Sequence, residues 1–118
     1  MGIHTLLNEF WLPTIALVLF FLFQAQGTLS ESFLTMFSFG LSALLFTRNT
    51  RLGEVYLFYI GVLAGFVLEV GFRFLGYQQV WVDASLFGIP YWLPIVWGVG
   101  FVLITRLGLY MRGIKATD

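Results

Sequence analysis

The chain has 118 residues, of which 59% are hydrophobic and 10% are charged, and its formal net charge is zero. A soluble domain typically carries about 25% charged residues, so this chain could not cover its surface in water. The composition therefore predicts one integral membrane domain over residues 1–118. A neutral chain also gives no reason to expect a nucleic-acid partner.

Cysteine is absent and histidine occurs once, as His4. The lack of cysteine excludes disulfides, thiolate catalysis, iron–sulfur clusters and thiolate zinc sites. The single histidine excludes a multi-histidine metal or haem site within one chain. We therefore predict no metal and no cofactor, and a bound lipid or polyene is the ligand that this composition allows.

Four apolar segments are long enough, or nearly long enough, to cross a membrane, which takes about 20 residues. In chain order they are 10–26, 29–47, 54–77 and 89–111. The links after the first and second segments are short, so sequential helices are expected to be antiparallel neighbours. The pattern predicts an all-α, integral membrane four-helix bundle.

The link between the third and fourth segments, residues 78–88, is longer and amphipathic. We expect this short segment to lie at the membrane surface or to dip into it. Both flanking segments would then cross the membrane in opposite directions.

Basic residues predict the orientation of the bundle, because cytoplasmic links are rich in Lys and Arg. Five of the six basic residues fall on the side of the N-terminus, and only Arg73 approaches the other side. We therefore expect both termini to be cytoplasmic, in a prokaryotic-type inner membrane. Arg106, near the inner end of the fourth segment, is expected to anchor that helix to lipid phosphates.

Two opposite charges, Glu69 and Arg73, lie one helical turn apart in the apolar third segment. A Glu four residues before an Arg is the favourable order for an ion pair on a helix. An ionisable residue inside a membrane is also a candidate functional site. We favour a structural pair, which Asp83 can join, and the alternative is a working site around Glu69.

Aromatic residues near this pair predict where a ligand could bind. Tyr77 and Trp81 suit the aromatic belt at the membrane interface, and Trp97 lies deeper in the fourth segment. Together with Glu69 and Arg73 they could form the wall of a site for a flat or polyene-like ligand. The simpler alternative is that these rings face lipid or pack within the bundle.

Small residues predict close helix contacts. Gly61 and Gly65 form a GxxxG pattern, Ser38 and Ser42 repeat that spacing on the second segment, and Gly98 thins one side of the fourth. Small side chains let two membrane helices approach closely. These positions are expected to form either a tight contact within the bundle or the seam of a dimer.

The region 69–97 contains a membrane glutamate, a Gly/Tyr stretch and the run "GIPYWLPIVW" that enters the fourth segment. It resembles part of the membrane carotenoid biosynthesis proteins of the bisanhydrobacterioruberin hydratase type. It is also similar to a family of small bacterial inner-membrane proteins of unknown function. The matching positions are Glu69, Tyr77, Gly88, Pro90, Pro94 and Trp97.

The resemblance implies one specific chemistry. A hydratase needs a proton donor and a positioned water. In a minimal enzyme of this type, Glu69 would protonate a double bond of a carotenoid or isoprenoid, and Tyr77 or Asp83 would steer the water.

Three functions follow from these features. We favour a non-enzymatic module that either packs as a subunit of a larger membrane assembly or binds an apolar, isoprenoid-like lipid. The alternatives are the minimal hydratase-like enzyme and an oligomeric transporter or channel that uses Glu69. The expected partners are membrane lipids and either further copies of the chain or other membrane subunits.

Overall fold

The computed structural model describes residues 6–47, 52–76 and 84–112. It begins with a π-helical turn, Leu7–Trp11, which continues directly into helix α1, Leu12–Ala25. The remaining helices are α2, Glu31–Phe46, α3, Leu52–Phe74, and α4, Trp92–Met111. The prediction of an all-helical chain with four helices is confirmed for these residues.

Three helices are long and apolar enough to cross a membrane: the first together with its π-helical turn, α3 and α4. Helix α2 is apolar but has only 16 residues. At 1.5 Å per residue it is about 24 Å long, somewhat less than a hydrocarbon layer of roughly 30 Å. It is shorter than the predicted segment because Ser30 caps its start, accepting a hydrogen bond from the Phe33 amide at 3.2 Å.

Helix α4 is the centre of the bundle. Half of its span, 50%, is buried, against 11% of the α3 span and 17% of the first span. Its main contacts are with α3, and it also packs on α2 and on the π-helical turn. The ring of Trp92 at the start of α4 lies 5.2 Å from the ring of Phe20 on α1. Helix α3 therefore lies at the edge of the bundle, and most of its surface is not covered by the other described helices.

The close contact between α3 and α4 depends on three glycines. A Cβ on Gly61 would lie 2.9 Å from the Gly98 Cα, and one on Gly98 would lie 2.8 Å from the Phe58 carbonyl oxygen. A Cβ on Gly65 would collide with the Trp97 side chain. The GxxxG pattern is therefore used within the chain.

Of the predicted amphipathic link, only residues 84–88 lie among the described residues, whereas the fourth predicted segment is described throughout. Leu86 and Ile89 form an antiparallel bridge, in which each amide donates to the other's carbonyl, at 2.8 and 3.0 Å. The two residues between them, Phe87 and Gly88, have φ angles of 51° and 90°. Positive φ at both central positions is typical of the tight turns of hairpins. Helix α4 begins only after this turn, so the predicted start at residue 89 was three residues early.

Each end of the bundle contains a buried polar cluster, and we name the two ends after a residue of that cluster. The Arg106 end is where α2 ends and α3 begins, and the Glu31 end is where α2 begins.

Candidate functional site

The carboxylate of Glu69 contacts Trp97 and forms no ion pair with Arg73. The Trp97 indole Nε1 donates a hydrogen bond to Glu69 Oε1 at 3.2 Å, which joins α3 to α4. The structure has an ion pair between Arg106 and Glu54, on α4 and α3. The predicted pairing of Glu69 with Arg73 is therefore wrong as a contact in this structure, and the carboxylate is held by a neighbouring helix.

Arg73 lies across the turn that precedes α4. A Cβ on Gly88 would collide with the Nε, Cδ and Cζ atoms of the Arg73 side chain. Gly88 has a φ of 90°, a conformation that favours glycine, and a side chain at this position would also displace Arg73. The other predicted members of this site, Tyr77, Trp81 and Asp83, lie outside the described residues.

A buried cluster at the Arg106 end was missed by the sequence analysis. Arg106 Nε and Nη2 donate to the two carboxylate oxygens of Glu54, both at 2.8 Å. The two side chains are only 2–3% exposed. The expected role of Arg106 as an anchor for lipid phosphates is therefore wrong, because its guanidinium is enclosed by protein.

The same guanidinium also ties two other elements to α3 and α4. Its Nη1 donates to the Glu9 carbonyl at 2.7 Å and its Nη2 to the Leu45 carbonyl at 3.1 Å. Glu9 belongs to the π-helical turn, where the Leu12 amide bonds to the Leu7 carbonyl, five residues back. Arg106, on α4, thus binds the π-helical turn, the last part of α2 and the first turn of α3. We call Arg106, Glu54 and these two carbonyls the Arg106 cluster.

A second cluster lies at the Glu31 end. Glu31, the first residue of α2, accepts hydrogen bonds from the Ser85 amide at 3.1 Å and from the Ser85 hydroxyl at 2.6 Å. It also accepts one from the Tyr91 amide at 2.9 Å. The carboxylate therefore fixes the turn before α4 to the start of α2. Like the Arg106 cluster, this second cluster is a structural contact within the protein.

Two serines of α2, Ser38 and Ser42, face the interior. Ser38 is fully buried and its hydroxyl donates to the Thr35 carbonyl at 2.6 Å. The Ser42 hydroxyl donates to the Ser38 carbonyl at 3.0 Å. Each hydroxyl proton is thus used within α2, and the small side chains leave room beside the helix.

That room forms part of an open groove of about 550 Å³ between α2, α3 and α4. Its volume lies within the range of about 300–1,000 Å³ that is usual for small-molecule sites. Four of the side chains that line it are aromatic. Two of the lining side chains, Ser42 and Tyr59, carry a polar group. We call this feature the groove. Its lining residues are Phe39, Ser42, Ala43, Phe46, Val55, Phe58, Tyr59, Val62 and Ile95.

The predicted site residues and the groove do not coincide. Of the side chains proposed from the sequence, Ser42 lines the groove, whereas Glu69, Arg73 and Trp97 do not. The signal that could have found it is the spacing of Phe39, Phe46, Val55 and Val62, each pair seven residues apart on its helix. Seven residues return to the same helix face, so both helices present an apolar stripe to one another.

Metal chemistry has no support in the part of the chain that the structure describes, where no group of three His, Cys, Asp or Glu side chains could hold an ion. Comparison of the whole chain with known protein families, with characterised proteins and with solved structures gave no match.

Proposed function

We propose that the protein is a small membrane module that binds one apolar lipid of the isoprenoid type in the groove. The observation that carries this proposal is the groove's lining, in which aromatic and aliphatic side chains dominate. Burial of apolar surface and offset stacking on rings both favour a flat, unsaturated hydrocarbon chain there. A polar ligand would find few hydrogen-bond partners in the same space.

The proposal includes the membrane setting. We infer that the chain lies in a prokaryotic-type inner membrane with both termini cytoplasmic, because most basic residues fall on one side of the predicted spans. Reporter fusions after Asp118 and within residues 48–51 test this. Both should report a cytoplasmic location, and an external location for the C-terminal fusion would contradict the predicted number of crossings.

The hydratase alternative has less support from the geometry. A proton donor must reach its substrate directly or through one water. Glu69 instead accepts a hydrogen bond from Trp97, and it does not line the groove. The alternative that the chain is an assembly subunit has one observation in its favour, which is the bare surface of α3.

Native mass spectrometry of gently extracted protein, with organic extraction and identification of the bound lipid, tests the proposal. We expect one lipid per protomer. Val55→Trp fills the groove and should lower this occupancy severalfold. Val67→Trp is the matched control, because Val67 is another exposed valine on α3 and lies outside the groove.

Two results would contradict lipid binding. One is a lipid-free protein that carries other protein subunits, which would favour the assembly role. The other is equal lipid occupancy in the two tryptophan variants, since the groove would then not be the site.

A further inference from the structure

The position of the groove along the helices indicates which part of a lipid it can hold. On α2 its lining runs from Phe39 to Phe46, and on α3 from Val55 to Val62. The ends of each stretch are seven residue steps apart, or about 10 Å at 1.5 Å per residue. This is about a third of a hydrocarbon layer of roughly 30 Å. The groove is therefore too short for a molecule that must be enclosed across the whole membrane.

On α2 and α3 the groove begins at one end of the bundle and stops near the middle of each helix, and on α4 it includes Ile95, one turn from the start of that helix. Phe46 is the last residue of α2 and Val55 lies one turn from the start of α3, so this limit of the groove is at the Arg106 end. Phe39 and Val62 lie near the midpoints of the same two helices. A chain in the groove would therefore run from one membrane surface towards the midplane, as the tail of a lipid in one leaflet does.

The charges at the surface limit are already occupied by protein. The carboxylate of Glu54, next to Val55, binds Arg106, and the carbonyl of Leu45, next to Phe46, accepts from Arg106. The Arg106 cluster thus stiffens the two helix ends that flank the groove. Because its guanidinium is enclosed, it offers no ionic contact to a lipid headgroup.

From these three observations we infer that the occupant of the groove is a single hydrocarbon chain of an amphipathic lipid. Its polar head lies at the Arg106 end and its first 10 Å or so of chain lies between α2 and α3. This inference rests on the proposed function, and it specifies the class of ligand and its direction. A wholly apolar carotene that crosses both leaflets would not fit it.

Photocrosslinking in lipid vesicles tests the inference. The probes are two phosphatidylcholines and two prenyl alcohols, each carrying a diazirine either near the head or about 10 Å along the chain. We expect the near-head probes to label Phe46 and Val55 and the mid-chain probes to label Phe39 and Val62. The ratio of the two labelling sites should change severalfold between the probes of each pair.

The outcomes separate the inference from the proposed function. Groove labelling in the opposite order, or with no dependence on the diazirine position, overturns the inference but leaves lipid binding in the groove intact. No labelling of the groove by any probe overturns both. Competition between the prenyl and acyl probes identifies the chain type, and preference for the straight acyl chain would contradict the isoprenoid part of the proposed function.

Val55→Trp and Val67→Trp serve again as matched variants. The first should lose groove labelling and the second should keep it. If both variants keep the labelling, the probe reaches these residues from bulk lipid rather than from a bound position, and the inference fails.

Discussion

The indole of Trp97 donates a hydrogen bond to the carboxylate of Glu69. Arg73 lies one turn after Glu69 on α3, and Glu69 does not contact it. The hydrogen bond joins α3 to α4 beside the close approach at Gly65, which packs on the same tryptophan. The carboxylate is therefore part of the contact between two helices. The effect of a Glu69 mutation on stability should therefore depend on whether Trp97 is present, and not on Arg73.

A double-mutant cycle tests this relationship. Glu69→Leu removes the acceptor and Trp97→Phe removes the donor, so the two changes should be coupled by roughly 0.5–1.7 kcal/mol, as for hydrogen bonds between membrane helices. Glu69→Leu with Arg73→Met is the matched cycle and should be additive within about 0.5 kcal/mol. Unfolding of all variants in one detergent gives the free energies. Strong coupling of Glu69 to Arg73 would contradict this prediction and would support the ion pair that the sequence suggested.

Removal of one partner of the buried pair should destabilise the bundle severely. Glu54→Gln leaves the Arg106 guanidinium without its counter-charge, at an expected cost of about 3–5 kcal/mol. Arg106→Met together with Glu54→Gln should recover part of that loss, because no uncompensated charge remains. The control is Arg112→Met, an exposed arginine just after α4, for which a change within about 0.5 kcal/mol is expected. Equal stability of Glu54→Gln and the wild type would contradict a buried, paired Arg106.

Two glycines of α3 should respond in opposite ways to the same substitution. Gly65→Ala places a Cβ against Trp97 and should destabilise the protein by about 1–3 kcal/mol through overpacking. A Cβ on Gly71 meets nothing within 4 Å. Gly71→Ala should therefore be neutral or stabilise by up to about 1 kcal/mol, since alanine favours a helix. Thermal unfolding of the two variants side by side measures the difference, and a neutral Gly65→Ala would exclude the close contact.

The hydrogen bonds of Glu31 predict a local effect on the turn before α4. The Ser85 and Tyr91 amides both donate to Glu31 Oε2, and the Ser85 hydroxyl donates to Oε1. Glu31→Ala removes both oxygens, so the two amides lose their acceptor and their hydrogen exchange should accelerate by roughly tenfold or more. Ser32→Ala, at the exposed neighbouring position of α2, is the control and should leave both rates unchanged. Unchanged exchange in Glu31→Ala would show that the turn is held by other contacts.

The sequence was sufficient to predict features that depend on composition and period. The helices, their small-residue contact and the approximate bounds follow from apolar runs, glycine spacing and capping residues. Glu54 and Arg106 are 52 residues apart in sequence, and their pairing depends on the level at which α3 and α4 meet. The same holds for Glu31 and Tyr91. Local spacing favoured Glu69 with Arg73 because both lie on one helix, but tertiary packing supplied Trp97 as the partner.

The groove was beyond the reach of sequence patterns for a related reason. Its lining comes from three helices, and the space depends on how far α2 and α3 diverge around Ser42 and Ala43. An apolar stripe on each helix is equally consistent with direct packing of one helix on the other. Only the arrangement of α4 between them leaves the space open.

The most direct test of the account is a set of isotope-filtered nuclear Overhauser measurements between lipid chain protons and protein methyl groups in nanodiscs. Ile95 lies on the central helix α4 and lines the groove, whereas Ile104 is exposed and Val102 is fully buried. If a lipid chain occupies the groove, the Ile95 methyls show strong contacts to it, as Ile104 does to bulk lipid, and Val102 shows none. An Ile95 with no lipid contacts, beside an Ile104 that has them, would contradict the account.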